Sequence, residues 1–111
     1  MASIELNISK DNESNDIRFI KITIGTTLLK IYSDGKILRK MKEWKEIKNN
    51  KNHSKGYNVI LIEKKQYMRS KLIAHAFKEI SINDKTIYIC HKDNNRLNTD
   101  INNLIIKKKG L

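Results

Sequence analysis

A chain of 111 residues has room for one modest hydrophobic core and none for the scaffold of a large enzyme. Lys and Arg total 23 against 12 Asp and Glu, a formal charge of +11, and a protein this basic expects a polyanionic partner. Lys and Ile occur 19 times each, Asn 13 times and Pro not at all, so part of the basicity reads as the codon bias of an A+T-rich coding sequence. The lone Cys90 excludes an intramolecular disulfide and a paired-cysteine metal knuckle, which favours a reducing compartment. No apolar run approaches the roughly 18 residues of a membrane span, and the first residues lack the basic-then-apolar order of a secretory signal. A soluble, intracellular protein without a membrane partner is expected.

Residues 1–16 set Lys10 against Glu5, Asp11, Glu13 and Asp16, a net −3, so the basic character belongs to residues 17–111, at +14. Ile4, Leu6 and Ile8 alternate as one edge strand would, and residues 9–16 read as a flexible polar segment. The β-branched run from Phe19 to Ile24 predicts a strand that Gly25 ends. Asp34-Gly35 between two apolar runs predicts a hairpin. Ile37, Met41, Trp44 and Ile47 recur at spacings that predict a helix with one apolar stripe, on which Trp44 packs rather than stacks on a ligand. Residues 49–56 break that pattern.

A second hairpin is expected from Tyr57 to Ile62 and from Gln66 to Arg69. Ser70 then looks like the N-cap of a helix whose apolar face holds Leu72, Ile73, Ala76 and Phe77, with His75 as an ordinary helix residue. Thr86 to Cys90 reads as a strand delivering His91 into an Asn-rich loop, followed by a short helical pattern at Ile101, Leu104 and Ile105. The fold class expected is α+β, built from small antiparallel hairpins. The chain divides into a leader (1–16), a hairpin module with a basic helix or linker (17–55), and a C-terminal domain (56–111).

The chemistry concentrates in Ile89-Cys90-His91-Lys92-Asp93-Asn94-Asn95-Arg96-Leu97-Asn98, followed by Asn102-Asn103-Leu104. A strand that ends in a His, beside a loop of amides and one carboxylate, suits a one-metal phosphodiesterase. The imidazole can take a proton from water near neutral pH, and a neighbouring oxygen can hold a divalent cation against the scissile phosphate. Amide side chains tie such a loop together without adding charge that repels DNA.

These segments, with Gly56-Tyr57-Asn58-Val59-Ile60-Leu61 and Lys71-Leu72-Ile73-Ala74-His75-Ala76-Phe77, resemble the HNH endonucleases of phage and mobile introns, whose pattern runs GYxxVxL, HRLVAxAF, NHxDGNKxNN and NLxW. Upstream, Ile31-Tyr32-Ser33-Asp34-Gly35-Lys36-Ile37 resembles the YxVSxxGxV module that often precedes that nuclease domain. The resemblance implies a ββα-metal fold, with His91 as the general base and Asn103 as the residue that holds the loop and orients it. It also implies a divalent metal, Mg²⁺ or Mn²⁺, if the protein is active. Cys90 stands where the family carries an oxygen ligand, and Mg²⁺ prefers hard oxygen donors to a thiolate. Cys90 otherwise reads as a small buried hydrophobe.

Ser70, Lys71 and Ile106 replace the family's His, Arg and Trp, and the final ligand of the C-terminal helix would fall just beyond Leu111, so that helix is expected to be shortened or missing. The metal positions left are Cys90 and Asp93, both poor matches. Sources expected from the resemblance include phage, organelles and large DNA viruses, and so a host cytoplasm, nucleus or virion.

Backbone contacts need no metal. The candidates are Lys40, Lys42, Lys45, Lys48, Lys51, Lys55, Lys71, Lys92, Arg96, Lys107, Lys108 and Lys109, with Lys92 and Arg96 nearest the bound strand. Few aromatics interleave these charges in the sequence, which favours double-stranded DNA over a single-stranded platform. The reading preferred is a nucleic-acid-binding protein on an HNH scaffold with cleavage lost or impaired. An active metal-dependent endonuclease, and a structural or assembly protein that uses the basic surface, stay open, as does a homodimer or larger complex.

Overall fold

The computed structural model describes residues 17–109, together with the backbone of a strand at Ile4–Ile8; the polar segment expected over residues 9–16 lies outside the described residues. Five antiparallel strands follow one another in chain order across a single sheet: β1 (Ile4–Ile8), β2 (Arg18–Ile24), β3 (Thr27–Tyr32), β4 (Ile37–Lys40) and β5 (Trp44–Glu46). Alternation decides which face is buried. Ile20 and Ile22 of β2, Leu29 and Ile31 of β3 and Ile37 of β4 point inward, and a one-residue slip would turn all of them to solvent.

The turn between β3 and β4 is the hairpin expected from Asp34-Gly35. Asp34 Oδ1 accepts a hydrogen bond from the Lys36 N–H at 3.1 Å, and Gly35 sits at φ +99°. A Cβ at Gly35 would lie 2.3 Å from Thr99 Oγ1 and 3.0 Å from the Thr99 carbonyl carbon, so the position needs glycine for both its backbone and its neighbour. Gly35→Ala is expected to cost about 1–3 kcal/mol from backbone strain alone, with the steric clash in addition. Urea denaturation reads this as a lower midpoint, and an unchanged midpoint would mean both that the turn relaxes away from positive φ and that residue 99 moves aside.

The helix expected from Ile37 to Ile47 is instead the β4–β5 hairpin. Ile37 pairs with Ile31 of β3, Lys40 pairs with Trp44, and the Ile47 N–H donates to the Ile37 carbonyl at 2.8 Å. Met41, counted in the helical stripe, sits at the turn and is 55% exposed. The open edge of β3 supplies ladder hydrogen bonds that a helix here would forgo, and that tertiary demand overrides the local periodicity.

A separate hairpin joins β6 (Val59–Ile62) to β7 (Lys65–Met68) through Glu63 and Lys64, both at positive φ as a two-residue I′ turn requires. The Glu63 carboxylate accepts hydrogen bonds from the Thr26 N–H at 2.7 Å and from the Thr26 and Thr27 hydroxyls, which hold its carboxyl below the usual range and tie this turn to the β2–β3 turn. The only α-helix among the described residues, α1 (Arg69–Lys78), follows β7 directly. Its N-cap is Met68, with no side-chain cap bond; Ser70, expected as the cap, lies inside the first turn with its buried hydroxyl unpartnered.

The last hairpin pairs β8 (Ile87–His91) with β9 (Leu104–Lys108), after a single 3₁₀ turn at Ile101–Asn103. The helix expected at Ile101, Leu104 and Ile105 is therefore that turn plus a strand. Leu104 is buried and Ile105 exposed, an alternation that fits a strand period. One apolar cluster draws on both sides of the expected division at residue 55: Ile22, Leu29, Ile31 and Ile37 pack with Ile62, Leu72, Ile73, Ile101 and Leu104. The architecture is α+β, with antiparallel hairpin sheets and one helix. No helix among the described residues is long and apolar enough to cross a membrane.

Candidate nucleic-acid interface

His91 ends β8 opposite Leu104, and the chain between them is closed by its own amides. Asn103 Nδ2 donates to Asp93 Oδ1 at 2.9 Å and to the Asn98 carbonyl at 2.8 Å, while its Oδ1 accepts from the Asp93 N–H at 3.3 Å. Asp93 accepts further from Asn98 Nδ2 at 2.8 Å and from the Asn95 N–H at 2.9 Å. Those donors, the Asn98 amide first, hold the Asp93 carboxyl down at about 2. Asn94 takes a left-handed backbone at φ 59°, which Asn tolerates better than most residues.

A second loop is bound to this one. Asn49 Nδ2 donates to the Leu97 carbonyl at 2.7 Å, and the buried Asn58 donates to Asn49 Oδ1 at 2.6 Å and to the Arg96 carbonyl at 3.0 Å. Arg96 reaches back, with Nη1 donating to the Gly56 carbonyl at 3.0 Å and its guanidinium 4.6 Å from the centre of the Tyr57 ring. Between the loops lies a cleft of about 710 Å³ lined by Lys51, Gly56, Ile89, Cys90, His91, Asn94, Asn95 and Arg96. His91 is half-buried with Nε2 unpartnered; burial, then the nearby Arg96, lowers its affinity for a proton against the opposing pull of Asp93. Burial thus favours the neutral ring.

Of the expected contacts, Lys51 and Arg96 line this cleft, with Lys55 beside it through its carbonyl, which also accepts from Arg96, while Lys92 is exposed on the loop that follows His91. Others lie elsewhere. The Lys71 ammonium is half-buried and donates to the Asp84 carbonyl, and burial pushes its pKa down. Lys107, Lys108 and Lys109 sit at the end of the β8–β9 hairpin remote from His91, since Lys108 pairs with Ile87. Lys40, Lys42 and Lys45 belong to the β4–β5 hairpin, and Lys48 follows it.

The metal implied by the resemblance fails a test of donors. Both Asp93 oxygens are engaged by loop amides, Cys90 offers sulfur, and no group of three His, Cys, Asp or Glu side chains placed to hold a metal ion occurs among the described residues. The described residues at this site do not form a cage for Mg²⁺ or Mn²⁺. Comparison with protein-family models, with curated proteins and with solved structures finds no match to this chain.

The sequence reading included Tyr57 and Asn58 only as part of the family pattern, with no structural role, and missed Asn49 as a strut of the site. It also missed Arg69, which is 1% exposed and donates to the carbonyls of Gly35, Ile47 and Lys48. An Arg or Asn bound to distant carbonyls leaves no periodic or motif signal.

Proposed function

We propose that the chain binds nucleic acid, and double-stranded DNA in particular, through the His91 loop of an HNH-like hairpin in which phosphodiester cleavage is lost or impaired. The observation that carries this reading is the Asn103 clamp. The side chain that the HNH resemblance assigns to loop-holding binds both Asp93 and Asn98, immediately after the strand that ends in His91. Asn94 supports the same reading, because its left-handed backbone stands at the glycine of the family pattern. Lys51 and Arg96 supply positive charge at the cleft and the exposed Lys92 follows His91 in the same loop, and phosphate contacts of that kind account for most non-specific affinity. Impaired cleavage is supported by the donors on hand: among the described residues no group of three His, Cys, Asp or Glu side chains is placed to hold the cation that polarises the phosphate.

The test is a supercoiled plasmid incubated with the protein in Mg²⁺, Mn²⁺ or EDTA, with mobility shift read on the same samples. A shift without nicking in any metal is the expected result. Lys51→Ala and Lys92→Ala should each flatten the slope of log affinity against log salt by about one unit, across all duplex sequences. No shift even at low salt would refute DNA binding.

One observation favours residual hydrolysis: His91 lines the cleft and its burial favours the neutral ring, the form a general base requires, although its unpartnered Nε2 is itself buried and would have to be uncovered to reach water. Metal-dependent nicking that disappears in His91→Ala selects that alternative.

A further inference from the structure

The outer face of the five-stranded sheet carries a cluster that no stretch of sequence displays. The register places Phe19 against Tyr32, with ring centres 5.1 Å apart, and Lys40 against Trp44 at the other side of the same face. Lys30 lies between them. Its ammonium is 4.6 Å from the Trp44 ring centre and 5.3 Å from that of Phe19, so those two rings lie within about 10 Å of each other. Lys40 stands 5.5 Å from Trp44, and Lys36 stands 5.5 Å from Tyr32. All three aromatic residues are only partly buried.

We propose that this face is a stacking platform for single-stranded DNA, separate from the His91 cleft. A core-facing aromatic cluster would be sealed by apolar neighbours, whereas each ring here is flanked by a cation. Unpaired bases offer π faces to Phe19, Tyr32 and Trp44, and the phosphates between them take Lys30, Lys36 and Lys40 off the rings. Aromatic side chains on an open sheet stack two or three bases in this way, without reading sequence. A duplex cannot use the rings, because its bases are already stacked. Among residues whose side chains are described, Glu46 is the acid the register places on this face, beside Leu38 and one strand from Lys30. The inference goes beyond the proposed duplex binding and rests on it only for the choice of DNA over RNA.

Trp44 is the sole tryptophan, so its fluorescence reports from the platform and from nowhere else. The full chain is titrated at low salt with a twelve-residue oligothymidylate, a duplex of equal length, a polyphosphate of similar charge, and oligouridylate. The expected result is saturable quenching by oligothymidylate that exceeds any change the duplex or polyphosphate causes by drawing Lys30 and Lys40 off the Trp44 ring. Tyr32→Leu, checked for an unaltered urea midpoint, should weaken oligothymidylate binding about fivefold or more. Lys51→Ala with Lys92→Ala should leave it within about twofold while weakening the duplex shift, so the two sites fail independently. Absent quenching by oligothymidylate, equal quenching by polyphosphate, or tighter binding of oligouridylate overturns the proposal.

Discussion

Arg69→Met is expected to destabilise the protein by about 3–5 kcal/mol, the largest loss from any single substitution considered. Arg69 Nε and Nη2 donate to the Gly35 carbonyl at 3.1 and 3.0 Å, and Nη1 donates to those of Ile47 and Lys48 at 3.2 and 3.4 Å. Methionine fills much of the same volume but removes the guanidinium from all three carbonyls, leaving the Gly35 carbonyl only the long 3.5 Å bond from the Thr99 hydroxyl, in a region where Arg69 itself is 1% exposed. Burial lowers the guanidinium's pKa, and the charges of Glu46 and then Asp34 partly restore it. Three separate segments lose a common anchor: the β3–β4 turn, the exit of β5 and the start of α1. Urea denaturation checks the figure, and a loss under about 1 kcal/mol would mean that water replaces the side chain at those carbonyls.

Arg69 also explains why part of the fold was legible and part was not. The β2 strand and the Asp34-Gly35 turn are written locally, in alternation and in one residue that tolerates positive φ. The segment from Ile37 to Ile47 fits two periodicities at once, and its choice of strand over helix is made by β3 and by the Arg69 bonds behind it. Neither partner lies within a local window. Likewise Leu104 to Ile106 is too short for its period to be decided until β8 is placed beside it.

The candidate site divides in the same manner. His91, Asn103 and the amide-rich loop were legible because they lie close together in the sequence and match one ordered pattern. Asp93 was read as a metal position, yet its carboxylate serves as the acceptor around which the loop closes. Lys71 was counted by its charge alone, and the structure engages that charge at the Asp84 carbonyl. Phe19, Tyr32 and Trp44 looked too sparse to matter, because only sheet register brings residues 19, 32 and 44 to one face.

Asn103→Ala is the second substitution with a large expected effect, and it acts on the loop more than on the core. It removes three hydrogen bonds, two donated and one accepted, for a loss of about 1–3 kcal/mol. Asp93 then loses the second-ranked of the hydrogen bonds that depress its pKa, so its carboxyl should rise from about 2 toward an ordinary aspartate. The sign of the pH effect follows from that depression. A carboxyl held low in the folded state contributes stability above its unfolded pKa of roughly 4, a contribution lost as pH falls toward the folded value. The native protein should therefore lose stability from this group between about pH 4 and pH 2, and Asn103→Ala should show a shallower loss over that window. Carboxyl carbon chemical shifts of Asp93 follow the titration directly. Duplex affinity should fall in the same variant, since Lys92 and Arg96 are positioned by the loop that Asn103 closes. An Asp93 titration and a duplex affinity both unchanged in Asn103→Ala would show that the hairpin holds its loop without the clamp, and would remove the main support for the HNH-like reading.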